Sequence, residues 1–405
     1  MQIDKITIDN FRAKQHLSLK LGTRLTLLVG ENGSGKTTVL DAIAIGLGAI
    51  LSHLPKVTGI TLKEHDIKQD NDHKAPYTRI KLSSTNGIEW DRTLRRDKSR
   101  KTLDQIPTAI GLSQLKRHID DQVINPANEG IDYRLPVYSY YGVGRALLNV
   151  PLRRRGFPKA HQRFEALDNA MNATSRFKSA FVWYYNKENE EQRKQKELKS
   201  FEYKLPELEA VRKTIETVFP ELTEPHVMLN PLRFAVKMNG TTLDIMQLSD
   251  GYKTLLSLII DLASRMALAN PQMINPLESE ATVLIDEVDL HLHPQWQRRV
   301  VSDLLRVFPK AQFVLTTHSP YIIESVNNLL MRYHIQNADY TDETIQQLLP
   351  LSPECVNAYY FSQDEIIDLV DKQLGLIDDK LIHPFNAISE LYDRMRDIQW
   401  EVRKA

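Results

Sequence analysis

The pattern of hydrophobic and polar positions near the start of the chain predicts strands, a glycine turn and a helix. Apolar and polar residues alternate over Ile3–Ile8 and again over Leu17–Leu21, which is typical of half-buried strands in a hairpin. Leu25–Val29 is an apolar run, interrupted only by Thr26, that stops at Gly30, as a fully buried strand leading into a turn does. Helical spacing follows over Thr37–Leu51.

The middle of the chain changes character. Thr78–Ser83 and Gly87–Leu94 predict a second hairpin, and Leu135–Tyr141 predicts another strand. Arg163–Tyr185 and Leu208–Phe219 have helical spacing, and the residues between them are densely charged. We interpret this region as a helical insertion that is too short for a long coiled-coil arm.

Strands and helices alternate after the insertion. His226–Met246 predicts two strands that return to the core, and a long helix is expected directly after them. Thr282–Ile285 and Gln312–Thr316 are apolar strand candidates, separated by a predicted helix over Gln295–Val307. Such βαβ alternation favours a parallel sheet covered by helices.

These patterns predict an α/β fold. A mostly parallel sheet is expected together with an antiparallel β subdomain, a helical insertion and a helical C-terminal tail. The expected segments are residues 1–150 and 226–350 for the two halves of the main domain, 151–225 for the insertion and 351–405 for the tail.

Composition restricts the partners that this chain can have. It contains 52 basic and 52 acidic side chains, so nucleic acid can be bound only through a local patch. The single cysteine, Cys355, excludes an internal disulfide framework and a multi-cysteine metal cluster. The first residues lack the order of a signal peptide, and the apolar stretches around Ala42–Leu54 and Leu255–Leu262 are too short or too interrupted to span a bilayer. We expect a cytoplasmic protein that does not contact a membrane.

A glycine-rich segment after the third predicted strand carries a phosphate-binding motif. Residues 30–37 match the pattern GxxxxGK[ST] in full. In such loops the glycines let backbone N–H groups wrap phosphate oxygens, Lys36 adds a positive charge and the Thr37 hydroxyl reaches Mg²⁺. A chance match is the alternative, and the strand before the loop and the helix after it argue against that. The predicted nucleotide-binding residues of this segment are Asn32, Gly33, Ser34, Gly35, Lys36, Thr37 and Thr38.

Two later strand ends carry further candidate chemistry. Asp286 and Glu287 directly follow an apolar strand, and the carboxyl ends of parallel strands lie where such sheets bind ligands. We predict that Asp286 holds Mg²⁺ and that Glu287 orients the attacking water. Ordinary surface acids are the alternative, which is disfavoured because buried charge needs compensation. His318 follows the next strand, where it is predicted to contact the γ-phosphate or, alternatively, to be an ordinary loop histidine.

A fourth fragment lies at the start of the long helix after the insertion. Ser249 is a good N-cap, and an N-cap also leaves backbone N–H groups pointing at an anion. This helix is not expected to reach the phosphate held by its own loop. We therefore predict that Ser249 and Gly251 complete the site of a second copy, with a purely structural cap as the alternative.

Five fragments together resemble a known family. They are Asn10–Arg12, Gly30–Thr38, Leu248–Gly251, Leu284–Pro294 and Thr316–Pro320. In this order they resemble the ATP-binding-cassette (ABC) ATPases, and within them the RecF/SMC-like branch. The amino-acid sequence of the last two fragments is similar to that of the stand-alone bacterial ATPases of anti-phage systems such as Septu.

The resemblance implies a P-loop ATPase head that binds ATP and Mg²⁺ and works as a homodimer, with two heads enclosing two ATP molecules. It implies that Glu287 is the catalytic base, that His318 is the switch residue, and that Ser249 and Gly251 contact the γ-phosphate of the partner's ATP. By the same resemblance, Asp289 communicates across the dimer and Arg12 approaches the nucleotide. The family's coupling glutamine has no counterpart here, and Arg145 is the candidate in its place.

Three functions compete on this basis. The first is an ATP-gated subunit that regulates a separate nuclease in anti-phage defence. The second is a RecF/SMC-like DNA-binding ATPase of DNA repair or chromosome maintenance. The third, the nucleotide-binding subunit of a transporter, is disfavoured by the missing glutamine and the long insertion.

No nuclease motif is visible, so we expect ATP hydrolysis without cleavage of nucleic acid by this chain. A homo-oligomer larger than the dimer stays open. DNA contact through the basic segments Arg92–Lys101 or Arg153–Arg155 stays open as well.

Overall fold

The computed structural model describes residues 1–71, 73–146, 151, 161–173, 177–338, 341–363, 365–371, 373–378 and 395. In chain order the strands are β1 (Ile3–Phe11), β2 (Lys14–Lys20), β3 (Leu25–Gly30), β4 (Gln69–Asp70), β5 (His73–Lys74), β6 (Tyr77–Ser84), β7 (Glu89–Arg95), β8 (Val137–Tyr141), β9 (Leu222–Leu229), β10 (Leu232–Met238), β11 (Thr241–Asp244), β12 (Ala281–Ile285), β13 (Ala311–Thr317), β14 (Val356–Phe361), β15 (Ile366–Asp368), β16 (Val370–Asp371) and β17 (Leu376–Ile377).

The helices lie mainly between these strands. They are α1 (Lys36–Leu51), α2 (Arg100–Leu103), α3 (Ser113–Ile119), α4 (Asn125–Glu129), α5 (Phe177–Leu198), α6 (Pro206–Val218), α7 (Asp250–Ala269), α8 (Pro294–Gln297), α9 (Val300–Val307), α10 (Pro320–His334) and α11 (Glu343–Gln347). None of the described helices combines the length and the apolarity that crossing a lipid bilayer takes.

A six-stranded sheet forms the centre of the protein, in the order β15-β14-β3-β13-β12-β8. The five strands from β14 to β8 run parallel, and only the edge strand β15 is antiparallel. Every residue of β3, β12 and β13 is buried, which is why these strands appear in the sequence as mainly apolar runs. The predicted α/β fold with a mainly parallel sheet is confirmed.

An antiparallel sheet in the order β2-β1-β6-β7 forms the predicted β subdomain. Gln312, fully buried on β13, joins it to the central sheet. Its amide nitrogen donates to the carbonyls of Ile3 (2.6 Å) and Gly22 (2.9 Å), and its amide oxygen accepts from the Ile3 N–H (2.9 Å). Gln312 therefore fastens the two sheets to each other, and the Tyr359 hydroxyl of β14 adds a second link by donating to the Lys20 carbonyl of β2 at 2.8 Å.

The insertion contains the helical hairpin of α5 and α6, followed by a three-stranded antiparallel sheet, β11-β10-β9. Trp183 and Tyr184 on α5 are buried, and the Tyr184 hydroxyl donates to the Pro225 carbonyl at 2.6 Å. The β9 strand already begins at Leu222, within the segment predicted to be helical up to residue 225.

The prediction of a helical tail over residues 351–405 is wrong for most of the part that the structure describes. A short 3₁₀ turn leads into β14, which pairs in parallel with β3, and short strands follow up to Ile377. Val356–Phe361 carries three aromatic residues and a β-branched one, a composition that suits a strand. Residues 379–394 and 396–405 of the predicted tail lie outside the described residues.

Candidate nucleotide-binding site

The glycine loop lies at the carboxyl end of β3, between β13 and β14. Gly30 has φ 139°, and a Cβ at this position would lie 2.0 Å from the Phe361 carbonyl oxygen of β14. Gly35 has φ 102° and caps α1 in a left-handed conformation that glycine adopts without strain. These two positions therefore need glycine for reasons of packing and backbone geometry.

The side chains of the loop divide into exposed and buried groups. Asn32 and Gly33 are exposed, whereas Ser34 is buried and its hydroxyl donates to the Glu31 carbonyl at 2.8 Å. Thr38 is half-buried in the first turn of α1. The exposed part of the loop is thus the part available to a ligand.

Lys36 is buried beneath this loop. Its ammonium group donates to the carbonyl oxygens of Gly30 (2.9 Å) and Glu31 (2.6 Å). Burial lowers the pKa of Lys36, and the nearby carboxylates of Asp286 and Glu287 oppose that shift. The loop therefore holds a positive charge at its centre, next to two acidic side chains.

Asp286 connects three elements. It follows β12 and is only 4% exposed, and it accepts hydrogen bonds from the hydroxyls of Thr37 (2.9 Å) and Thr316 (2.6 Å). Thr37 begins α1 and Thr316 lies near the end of β13. The structure thus brings the predicted metal residues Thr37 and Asp286 into direct contact.

Glu287 is half-buried and has a left-handed backbone with φ 48°. Its N–H donates to the Thr316 hydroxyl at 2.6 Å. Among the described residues, no hydrogen bond to its carboxylate is found, so the acid is available to a ligand. Thr316 therefore holds both acids of the pair, one through the side chain and one through the backbone.

The next acid and the predicted switch histidine lie close by. The Thr317 hydroxyl donates to Asp289 at 2.5 Å. His318 directly follows β13 and is half-buried, and its imidazole makes no hydrogen bond with another described residue. Both side chains lie at the same edge of the sheet as the glycine loop, while their predicted roles stay predictions.

Ser249 and Gly251 lie at the start of α7, and among the described residues neither makes a hydrogen bond to the glycine loop. Ser249 is the exposed N-cap of α7, and its side chain makes no capping hydrogen bond. A Cβ on Gly251 would lie 2.8 Å from the His291 carbonyl oxygen, so the helix start lies against the turn that follows Asp289. Helix α7 packs on the edge strand β8. Strand β8 lies three strands away from β3, so these two strands are roughly 14 Å apart.

Arg12 is anchored to the helix that follows the loop. Its guanidinium donates to Asp41 on α1 (2.5 Å) and to the buried Asp66 (3.0 Å). Asp41 also accepts from the Tyr140 hydroxyl at 2.8 Å. Arg12 therefore lies against α1, and its approach to nucleotide stays a prediction.

Arg145, the candidate in place of a coupling glutamine, is buried beside the two acids. It is 1% exposed, and its guanidinium donates to the backbone carbonyls of Gly142, Asp286 and Glu287. Burial lowers the pKa of Arg145 to about 10, and nearby carboxylates oppose the shift. The sequence singled out this arginine but did not indicate that it binds the backbone of the two acids.

An aromatic cluster of Phe219, Tyr252 and Trp296 connects the insertion to the site. The Tyr252 ring lies 4.3 Å from that of Trp296 and 5.7 Å from that of Phe219, measured between centroids. The Tyr252 hydroxyl donates to Glu221 at 2.5 Å. Tyr252 directly follows Gly251, and Phe219 directly follows the last residue of α6. The cluster therefore fastens the start of α7 to the insertion.

The basic segment Arg92–Lys101 is not a uniform charged surface. Arg92 is directed inward, donating to the carbonyls of Ile45 (3.0 Å) and Ile60 (2.7 Å), whereas Arg95, Lys98, Arg100 and Lys101 are exposed. The second segment, Arg153–Arg155, lies outside the described residues. DNA contact therefore stays a prediction.

Comparison with known proteins places these features in a family. The model of the family described as "AAA domain" matches residues 5–223, more than half of the chain. The Retron Vc95 probable ATPase of Vibrio cholerae is 27% identical over 78% of this chain and 69% of its own length. The Septu protein PtuA of Bacillus mycoides is 26% identical over 86% of this chain and 42% of its own length.

A solved structure also aligns with this fold. The crystal structure of an Smc head bound to the C-winged helix domain of ScpA covers 92% of this chain at 14% identity, with a TM-score of 0.45, and is itself covered to 99%. The resemblance to the RecF/SMC-like ATPases, and within them to the Septu ATPase, is confirmed by the family and the relatives found.

Replacing Thr316 by valine should destabilise the protein, because the buried Glu287 N–H then loses its acceptor and Asp286 loses a donor. We expect the free energy of unfolding to fall by about 1–3 kcal/mol in urea denaturation. Thr214→Val on α6 is the control, since that buried hydroxyl only bonds the Ala210 carbonyl within its own helix. An equal loss in both variants would contradict a special role for Thr316.

Proposed function

Since the chain belongs to the AAA domain family, we propose that it is an ATP-hydrolysing subunit of an anti-phage defence system. Two copies close head to head around two ATP molecules, and the nucleotide state sets the activity of a separate nuclease. The grouping of Thr37, Asp286 and Glu287 beside the glycine loop is the observation that carries this proposal.

The oxygen atoms of this group suit a magnesium ion. A hydroxyl and a carboxylate in contact are oxygen donors of the kind that Mg²⁺ prefers, so Thr37 and Asp286 are the residues to hold it. When bound, the ion supplies positive charge that stabilises negative charge on phosphate oxygens. Lys36 adds its own charge from beneath the loop.

Glu287 and His318 are the side chains that act on the reacting phosphate. The Glu287 carboxylate is available to accept a hydrogen bond from the attacking water and to orient it. His318, at the end of the neighbouring strand β13, contacts the γ-phosphate and responds to its release. Both roles require a nucleotide held by the glycine loop between them.

The second half of each site comes from the other copy. Ser249 is exposed at the start of the 20-residue helix α7, whose first N–H groups favour an anion. The body of α7 packs on the edge strand β8, three strands from the loop-bearing β3, and its start faces outward at Ser249. Ser249 and Gly251 serve the loop of a partner. Asp289, beside this helix start, communicates between the two sites.

The relatives support a role in a multi-component system. Both are named for a retron or a Septu system, and the retron protein is named a probable ATPase. The helical insertion, joined to α7 through the aromatic cluster, is the surface for the separate nuclease.

Glu287→Gln should bind ATP and trap the closed dimer, because the site then holds nucleotide without activating water. We expect ATP hydrolysis to fall by about 100-fold or more. Light scattering after size exclusion with ATP and Mg²⁺ should give twice the 46.6 kDa chain mass. Glu216→Gln on the exposed face of α6 is the control and should behave as wild type. A monomeric Glu287→Gln protein with bound ATP would rule out the two-headed arrangement.

A mixing experiment tests whether the site is shared between copies. Lys36→Ala and Ser249→Glu should each be inactive in ATP hydrolysis, because the first lacks the loop charge and the second places an acid at the phosphate. An equimolar mixture should recover part of the wild-type rate, since one site of each mixed dimer has both an intact Lys36 and an intact Ser249. No recovery, with mixed dimers confirmed by pull-down of differently tagged copies, would place both residues in one chain's site.

Phage challenge tests the defence role. Cells that carry the gene with its neighbouring genes should reduce phage plating, and Lys36→Ala should abolish the protection because nucleotide is no longer held. Lys310→Ala, an exposed lysine at the opposite end of the sheet, is the matched control. Protection that survives Lys36→Ala, or is absent from the wild type against a broad phage panel, would count against this function.

A further inference from the structure

Arg145 lies next to acidic side chains but donates its hydrogen bonds to the backbone and not to their carboxylates. Its guanidinium is buried beside the candidate nucleotide site, yet within the described part of the chain it donates only to backbone carbonyls, those of Gly142, Asp286 and Glu287. Asp286 and Glu287 are the two acids on which the proposed hydrolysis depends. One side chain therefore holds the backbone of both.

The backbone at this point needs such support. Strand pairing continues as far as the Asp286 N–H, which donates to the Tyr141 carbonyl at 2.8 Å. The chain then turns, and Glu287 takes up the left-handed conformation that is unfavourable for residues with a Cβ. The Asp286 carbonyl leaves the strand ladder at the turn, and a buried carbonyl without a donor is costly. The Glu287 carbonyl also accepts from the Leu290 N–H at 2.9 Å, so Arg145 is its second donor.

An arginine suits this task because of its shape and its charge. Its planar fork donates to two carbonyls at once, which a lysine ammonium on a flexible stem does not do with the same geometry. The positive charge also lies near the acidic groups of Asp286, Glu287 and Asp289. By bonding the backbone, Arg145 leaves the acidic side chains free for ion and water.

We propose that Arg145 is a positioning residue for ATP hydrolysis, which fixes the turn carrying Asp286 and Glu287 without touching nucleotide. This inference rests on the proposed ATPase function. The 3₁₀ turn that bears Arg145, Val143–Ala146, also packs against α7, the helix that begins with Ser249. Arg145 thus ties the two acids of one site to the helix that serves the other site.

The test compares two arginines that make the same kind of contact. Arg24 donates to the backbone carbonyls of Leu305, Phe308 and Ala311, and it precedes β3 at the end of the sheet opposite to the glycine loop. Arg145→Lys and Arg24→Lys therefore make the same chemical change near the site and far from it. Steady-state ATP hydrolysis, ATP binding and thermal unfolding are measured for both.

We expect Arg145→Lys to lower kcat at least about tenfold while the dissociation constant for ATP changes less than about threefold. Arg24→Lys should keep kcat within about twofold of wild type, although its melting temperature should fall by a similar amount to that of Arg145→Lys. Arg145→Gln, whose amide reaches fewer carbonyls, should have lower activity than Arg145→Lys or equal it.

Three outcomes would overturn the inference. One is a kcat within twofold of wild type in both Arg145 variants. Another is a loss of ATP binding as large as that of Lys36→Ala, which would mean that Arg145 acts on the nucleotide. The third is failure of both Arg145 variants to fold while Arg24→Lys folds, which would make the role one of folding. A wild-type protein without ATPase activity would instead refute the proposed function itself.

Discussion

A buried carboxylate at the end of an apolar strand has to be satisfied by its neighbours, and Asp286 meets this requirement through two hydroxyls from distant parts of the chain. Thr37 comes from the start of α1 and Thr316 from β13. These contacts hold the glycine loop, the acidic turn and the end of the neighbouring strand in a single arrangement. Lys36 and Arg145 balance the negative charge from two sides. The geometry of the candidate site depends on this balance.

The chain reveals the chemistry of this site more readily than the long-range contacts that hold it. The glycine loop and the acid pair Asp286 and Glu287 are visible because a mainly apolar strand directly precedes each of them. Both strands lie where predicted. The contacts of Thr316 and Arg145 could not be predicted, because they depend on which strands become neighbours. The β14 strand was missed for the same reason, since its partner β3 lies more than three hundred residues earlier.

The aromatic cluster connects the insertion directly to the start of α7, the helix capped by Ser249. Phe219 is fully buried between the insertion and the start of α7, and Arg299, near Trp296, donates to the Val218 carbonyl at 2.6 Å. Tightly packed contacts of this kind transmit displacement, because protein interiors leave little free volume. Under the proposed function, a subunit bound to the insertion and a nucleotide bound at Ser249 would therefore act on the same few side chains.

The place of β14 beside the glycine loop bears on how the protein is made. The β3 strand is central in its sheet, with β13 on one side and β14 on the other, and the Phe361 carbonyl packs against Gly30. During synthesis the loop leaves the ribosome early, but its second neighbouring strand emerges only after residue 361. A nascent chain thus carries an unfinished binding site until more than three hundred further residues have followed the loop.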